Sequence, residues 1–397
     1  HPGARVIELC NDDYILPGFF DLHAHYNVDL IGKGRRDETT VNPVIFLANG
    51  VTSTFPAGEY NPEDMLALRR RIDSGEQIGP RLYNSGPYFG SVRPGWHADS
   101  TREQIYATVD KWAELGARGF KAKGISPGQL RALIERAHWH GLTVTGHLGS
   151  GFRNSVNPRE AILMGIDRIE HFLGGDAISS DKPAYASLEN LNADSPEVDE
   201  IIQLFIRHNV FFDATLTAYG YYGEREQGYE YWIDEKKFLT PFVLEYQKTH
   251  SPRRHLAQFE KIFWVKHKTI KKFYHAGGGH LITLGTDHPS TGEFIAGFSV
   301  HRELEALVRA GIPAHDALKI ATINGARALN VASKLGSIEA GKFADLLVTR
   351  GNPLENIRNT RNVYLVMKSG EIYETQVLLK SVEGKMGPQN ATDAEKW

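Results

Sequence analysis

Eight short apolar, strand-like runs punctuate the first three-quarters of this chain, and a helix-like segment stands between most successive pairs. The runs lie near residues 19, 51, 81, 119, 143, 168, 210 and 282. Strands that alternate with helices are joined by crossovers, and crossovers of one hand build a parallel sheet. Eight such units in roughly 300 residues suit an α/β chain folded as a (β/α)8 TIM barrel. A doubly wound open sheet is the structural alternative. It loses support because no Gly-x-Gly-x-x-Gly follows a strand.

The intervening helices carry their own punctuation. Ser100-Thr101-Arg102-Glu103 reads as a capping box opening a helix that runs to Gly116. Pro127 to His140 places Leu130, Leu133, Ile134 and Ala137 on one stripe, and Gly141 ends it. A polar and aromatic insert runs from Tyr219 to about Glu260, before a helix over Lys261 to His275. At the start, Arg5–Leu9 and Tyr14–Leu16 around Asn11-Asp12-Asp13 read as a β-hairpin. After a helix from His315 to Asn330 the character changes. Ser337-Ile338, Ala344–Thr349 and Val363–Met367 read as strands joined by turns. The expected organisation is a remnant of a small β-sandwich domain at 1–16, a barrel at 17–330, and the rest of the sandwich with a polar tail at 331–397.

Composition narrows the function. Of 397 residues, 41% are hydrophobic and 23% charged, with a net charge of −3 and no block of like charge. Nothing points to nucleic acid or a membrane, so a small-molecule partner is expected. Cys10 is the only cysteine, which excludes an intrachain disulfide and a thiolate metal cluster. A single cysteine favours a cytoplasmic location. Export stays open, because residue 1 is His and the numbering reads as beginning inside a longer protein.

The chemistry-bearing residues fall at the carboxyl ends of the strand-like runs, where barrels place their functional side chains. The first run closes with His23-Ala24-His25. Residues two apart in a strand face one side, so both imidazoles aim at one point. The fourth run carries Lys121 and Lys123, the fifth ends at His147, the sixth at His171 and the eighth at Asp287. Nitrogen and oxygen donors of this kind suit a hard-to-borderline divalent metal.

Pro17-Gly18-Phe19-Phe20-Asp21-Leu22-His23-Ala24-His25 resembles the signature of the amidohydrolase superfamily. So do His147, Ile169-Glu170-His171, Gly285-Thr286-Asp287 and the segment Gly336–Leu346. Gly116-Ala117-Arg118-Gly119-Phe120-Lys121 resembles its prolidase-like and imidazolonepropionase-related branch. The resemblance implies a binuclear hydrolase that cleaves a C–N bond, in an amide or a dipeptide-like compound, by a hydroxide shared between two divalent ions, zinc being favoured. It implies His23, His25 and Asp287 on one ion, His147 and His171 on the other, and carboxylated Lys121 bridging them. Lys123 faces the same side, so it stays open as the bridge, with Lys121 preferred on its spacing from Gly116. Asp287 is the implied catalytic proton carrier.

Substrate contacts are expected from His97, Arg153, Tyr219, Tyr221 and Tyr222, and a homo-oligomer is expected. A mononuclear deaminase-type or imidazolonepropionase-type hydrolase is the alternative, as is a lactone or ester hydrolase on the same site. A non-catalytic scaffold is disfavoured because every ligand position is kept.

Overall fold

A computed structural model describes residues 6–93, 95–149, 156–171, 173, 178, 184–223, 235–250, 257–289 and 295–397, with 220–223 described by their backbone alone. The long apolar runs form parallel strands. One sheet orders Ile282–Thr283, Phe211–Asp213, Arg168–Glu170, Thr143–His147, Gly119–Lys123 and Tyr88–Phe89 side by side. A second orders Phe19–Ala24, Val51–Pro56 and Arg81–Leu82. Phe19–Ala24 and Val51–Pro56 are buried along their whole length, as strands covered on both faces must be. Backbone bonds link the sheets: Leu22 N donates to Leu284 O (2.9 Å) and Asp287 N to His23 O (2.9 Å). Beyond the ends of Val51–Pro56 and Arg81–Leu82, Glu59 and Pro87 form a parallel bridge next to the start of Tyr88–Phe89.

Register fixes which side chains meet. Lys121 pairs with Thr145, Lys123 with His147, Glu170 with Asp213 and Tyr88 with Lys121. Partners in a parallel ladder share a face, so these residues rise together at the carboxyl ends of the strands.

The helices between strands keep their expected places, with shifted ends. Thr101, not Ser100, caps the helix Arg102–Glu114, in a box closed by Gln104. Ser100 instead donates its hydroxyl to His97 O at 2.7 Å. The helix expected over 315–330 runs as Ala314–Lys319, a wider π turn at Ile320–Asn324, then Gly325–Ala328. Within that turn Asn324 donates its amide to Gly279 O (3.0 Å) and Ile282 O (2.9 Å), holding the entry to the last strand.

Both chain ends meet in a four-stranded antiparallel sheet. Asp13–Pro17 pairs with Leu346–Arg350, which pairs with Val363–Lys368 and then Glu371–Glu374. The expected hairpin does not form. Val6–Cys10 carries no strand, and Tyr14–Leu16 takes a distant partner instead. Val6 is 80% exposed and Ile7 and Leu9 are each 37% exposed, so apolar burial does little to hold that arm in a ladder. Ser337-Ile338 is also outside any strand. Among the described residues, no helix is long and apolar enough to cross a membrane.

Candidate metal centre

Phe19–Ala24 delivers His23 and, one residue past its end, His25. Both imidazoles are buried. His23 Nε2 lies 3.3 Å and His25 Nε2 2.9 Å from Asp287 Oδ1. The His171 ring stands 4.7 Å from that of His23 and 4.4 Å from that of His147. One ligand atom from each of His23, His171 and Asp287 falls within 4.8 Å of the others, a group able to hold a metal ion. Lys121, 1% exposed, places its Nζ against Glu170 Oε2. Glu170 Oε2 and Asp213 Oδ2 lie 3.6 and 3.4 Å from His23 Nδ1. All six residues expected as ligands therefore share one end of the strands.

Local backbone and buried polar groups hold this arrangement. His171 (φ 70°), Thr215 (φ 48°) and Asp287 (φ 61°) occupy the left-handed region. Non-glycine residues persist there only where their surroundings over-determine them, and such positions cluster at functional sites. Asp21, fully buried, accepts from His23 N (3.1 Å), Thr286 N (3.1 Å) and Thr286 Oγ1 (2.7 Å), tying the first ligand strand to the last. Gly285 has no room for a side chain, since a Cβ would sit 2.1 Å from Asp213 Oδ2. Thr215 Oγ1 donates to Ala214 O (2.7 Å), so its contact with His171 Nδ1 (2.7 Å) must be an acceptance from an Nδ1–H. That tautomer leaves His171 Nε2 with its lone pair, the form a metal ligand needs.

Two further groups support His171. Glu303 accepts from Leu216 N (2.9 Å) and Thr217 N (2.7 Å), capping the helix that begins next to Thr215. Lys266, 2% exposed, donates to His171 O at 2.5 Å and lies 3.7 Å from the centre of the Tyr219 ring.

The electrostatics favour neutral nitrogens and an ionised Asp287. Burial pushes the His25 imidazole down to about 4, against the pull of Asp287. His147 falls well below the ordinary histidine range through burial, then through the charges of Lys123 and Lys121. His171 falls likewise through burial and then His147. For Asp287, burial acts upward, but the imidazoles of His23 and His25 outweigh it and hold the carboxyl well below the usual carboxylate range. Burial, followed by the charge of Lys123, holds the Lys121 amine well below the ordinary lysine range.

These residues fit divalent ions. Uncharged imidazoles are ready ligands, and the carboxyl groups of Glu170, Asp213 and Asp287 all lie within 3.6 Å of a His23 ring nitrogen. His23 Nδ1, His25 Nδ1 and both Asp213 oxygens are buried with no hydrogen-bond partner among the described residues, and such orphaned polar atoms call for one.

The other expected residues fare differently. Tyr219 is buried with its ring 6.3 Å from that of His171. Tyr221 and Tyr222 lie in the helix Leu216–Gly223, where only their backbone is described. His97 is exposed on the turn before Thr101, its carbonyl engaged by Ser100. Arg153 lies outside the described residues. Sequence reasoning assigned no role to Asp21, Glu170, Asp213, Thr215, Lys266 or Glu303. For the first three the signal was available: a carboxylate inside an otherwise apolar strand is costly to bury unless it is used.

Comparison with known proteins matches this architecture. Over 37 residues the chain is 57% identical to a 5-methylthioadenosine/S-adenosylhomocysteine deaminase of Moorella thermoacetica, and that match covers 9% of each protein. A solved Xaa-Pro dipeptidase with bound methionine superposes with a TM-score of 0.66 at 23% identity, over 91% of this chain and 87% of that one. A solved prolidase-type protein from Bifidobacterium longum gives 0.63 at 25% identity, over 94% and 86%. The model of the amidohydrolase family matches residues 14–373, nearly the whole length of the chain. The chain therefore belongs to the amidohydrolase family.

Proposed function

We propose that this amidohydrolase cleaves a C–N bond of an amide or dipeptide-like substrate at a centre holding two divalent ions, zinc in preference. The observation that carries this reading is the convergence of His23, His171 and Asp287 within 4.8 Å, beside Lys121 and His147. His23, His25 and Asp287 would hold one ion and His147 and His171 the other, with Lys121 carboxylated between them. The links from Leu22 to Leu284 and from Glu59 to Pro87 support a closed (β/α)8 barrel at 17–330, flanked by a small β-domain drawn from 1–16 and 331–397.

The chain's own residues set up the chemistry. Burial keeps the Lys121 amine available in its uncharged form, which can add carbon dioxide to give a carbamate with loss of one proton. Bound divalent ions supply Lewis acidity and lower the pKa of water. Asp287, ionised through its histidine neighbours, has Oδ1 engaged by His23 and His25. Both histidine contacts fall on Oδ1 rather than on Oδ2. Oδ2 is the atom to take the proton of the attacking water and return it to the departing amine. Lys266 and Thr215 hold His171, and Asp21 holds the His23 and Thr286 backbone. Tyr219 lines the approach.

Turnover of zinc-loaded protein on a panel of N-acyl amino acids, dipeptides, lactones and aryl amides tests the reading. Cleavage of the amides or dipeptides, abolished by Asp287→Asn, supports it. Cleavage of lactones alone would replace it. The short deaminase match favours a second reading, a mononuclear hydrolase. Under that reading Lys121→Met would keep most of the activity.

A further inference from the structure

Lys123 is a cation the proposed chemistry does not use. It lies two residues beyond Lys121 on the same face of its strand and in register with His147, at the mouth of the centre. The side chain is largely withdrawn from water, yet no hydrogen bond or ion pair among the described residues includes it. A lysine on a solvated surface loses little by standing alone. One removed from water stays costly until an anion meets it.

Burial lowers the Lys123 amine from the ordinary lysine range first, Asp287 pulls the other way, and Arg35 adds to the lowering. Arg35 comes from the loop after the first strand, donates to Tyr60 Oη at 3.3 Å, and also acts on His25 and Tyr88. Tyr88 is buried, stands in register with Lys121, and meets Tyr60 edge-on with ring centres 5.7 Å apart. Arg35 bonded to Tyr60, Tyr60 packed edge-on against Tyr88, and Lys123 two residues beyond Lys121 thus bring a pair of phenols and two basic side chains from separate parts of the chain toward the centre. Two cations opposed by one carboxylate suit an incoming monoanion better than a dianion.

From this we infer that Lys123, assisted by Arg35, receives a carboxylate carried by the substrate close to the bond that is cut. The inference rests on the hydrolase reading above and adds what the substrate must carry. Lys123 presents a compact point charge and Arg35 a planar fork, so the pair accepts a carboxylate in more than one orientation.

Two matched pairs of compounds test it on the zinc-loaded full chain. N-benzoylglycine and N-benzoylglycinamide report turnover, while 4-phenylbutyrate and 4-phenylbutyramide report binding by calorimetry. The carboxylate of each pair is preferred by roughly tenfold or more, about 1.4 kcal/mol. Lys123→Met brings that ratio toward one, Lys123→Arg restores much of it, and Arg35→Gln lowers it less. A carboxylate that merely ligates metal would bind Lys123→Met as tightly as the unchanged protein, and that result overturns the inference. So does equal treatment of acid and amide, or loss of bound zinc in Lys123→Met, which would make Lys123 a ligand. If neither benzoyl compound turns over while the butyrate preference depends on Lys123, the anion site stands and the amidase reading falls.

Discussion

Thr215 separates the stability of the fold from the readiness of the metal centre. It is a β-branched residue at φ 48°, and its hydroxyl both donates to Ala214 O and accepts from His171 Nδ1. In Thr215→Gly the backbone strain disappears, a gain of roughly 1–2 kcal/mol. Glycine's extra freedom in the unfolded chain costs about 0.5–1 kcal/mol. A buried Nδ1–H left without an acceptor costs about 1–3 kcal/mol. The sum is a protein about 1 kcal/mol less stable. Thr215→Ala keeps the strain and loses the same acceptor, so it falls by about 2 kcal/mol.

For metal binding the two variants are equivalent, because each frees the tautomer and orientation of His171. Affinity drops roughly 10–100-fold in both. Urea denaturation of the metal-free variants, with competitive chelator titration of zinc, reads the two effects separately. Thr215→Ser should bind zinc as the unchanged protein does. Undiminished zinc affinity in Thr215→Gly would refute the tautomer argument, as would equal losses in Thr215→Ser and Thr215→Ala.

Other changes probe the remaining supports. Lys266→Met removes the donor to His171 O and the cation over Tyr219, and zinc affinity falls roughly tenfold or more on chelator titration. Its stability shifts little, because methionine avoids the cost of burying an ammonium. Glu59, buried and pushed up to about 8 by desolvation against the donors Asn84 and Ser85, holds a proton in the folded chain that it sheds near 4.5 when unfolded. Its contribution is present below pH 4.5 and lost as pH rises through 8, by at most about 5 kcal/mol. Asp21 and Glu303, each raised to about 7 by burial, act in the same direction. Urea midpoints at pH 5 and pH 8 should show the decline, and Glu59→Gln should flatten it. Lys121→Met abolishes carbamate formation, so a ¹³C carbamate signal seen in the labelled wild-type protein should vanish.

Much of this molecule is legible in its chain because parallel strands are buried on both faces and so read as apolar or β-branched runs. Phe19–Ala24 shows as an apolar run broken only by Asp21 and His23, Val51–Pro56 shows by its β-branched residues rather than by apolarity, and a histidine near the end of such a run stands out. The shorter strands Arg81–Leu82 and Ile282–Thr283 were legible only through their place in the alternation. What escaped depends on contacts between distant residues. The partner of Tyr14–Leu16 lies more than three hundred positions away, so local pattern suggested a hairpin instead. Lys266 sits mid-helix among apolar neighbours and looks like ordinary helix punctuation until the fold carries it to His171. Thr215 gives no local sign that its φ is positive. The cap at Thr101 was misplaced by one residue because Ser100 and Thr101 offer equivalent hydroxyls, and only the bond from Ser100 to His97 O tells them apart.

Zinc stoichiometry measured against activity decides whether Lys121 bridges a centre of two ions. Metal-free protein titrated with zinc in the presence of bicarbonate should gain activity toward a cleavable amide or dipeptide until two equivalents are bound. Full activity at one equivalent, unchanged in Lys121→Met, would contradict it.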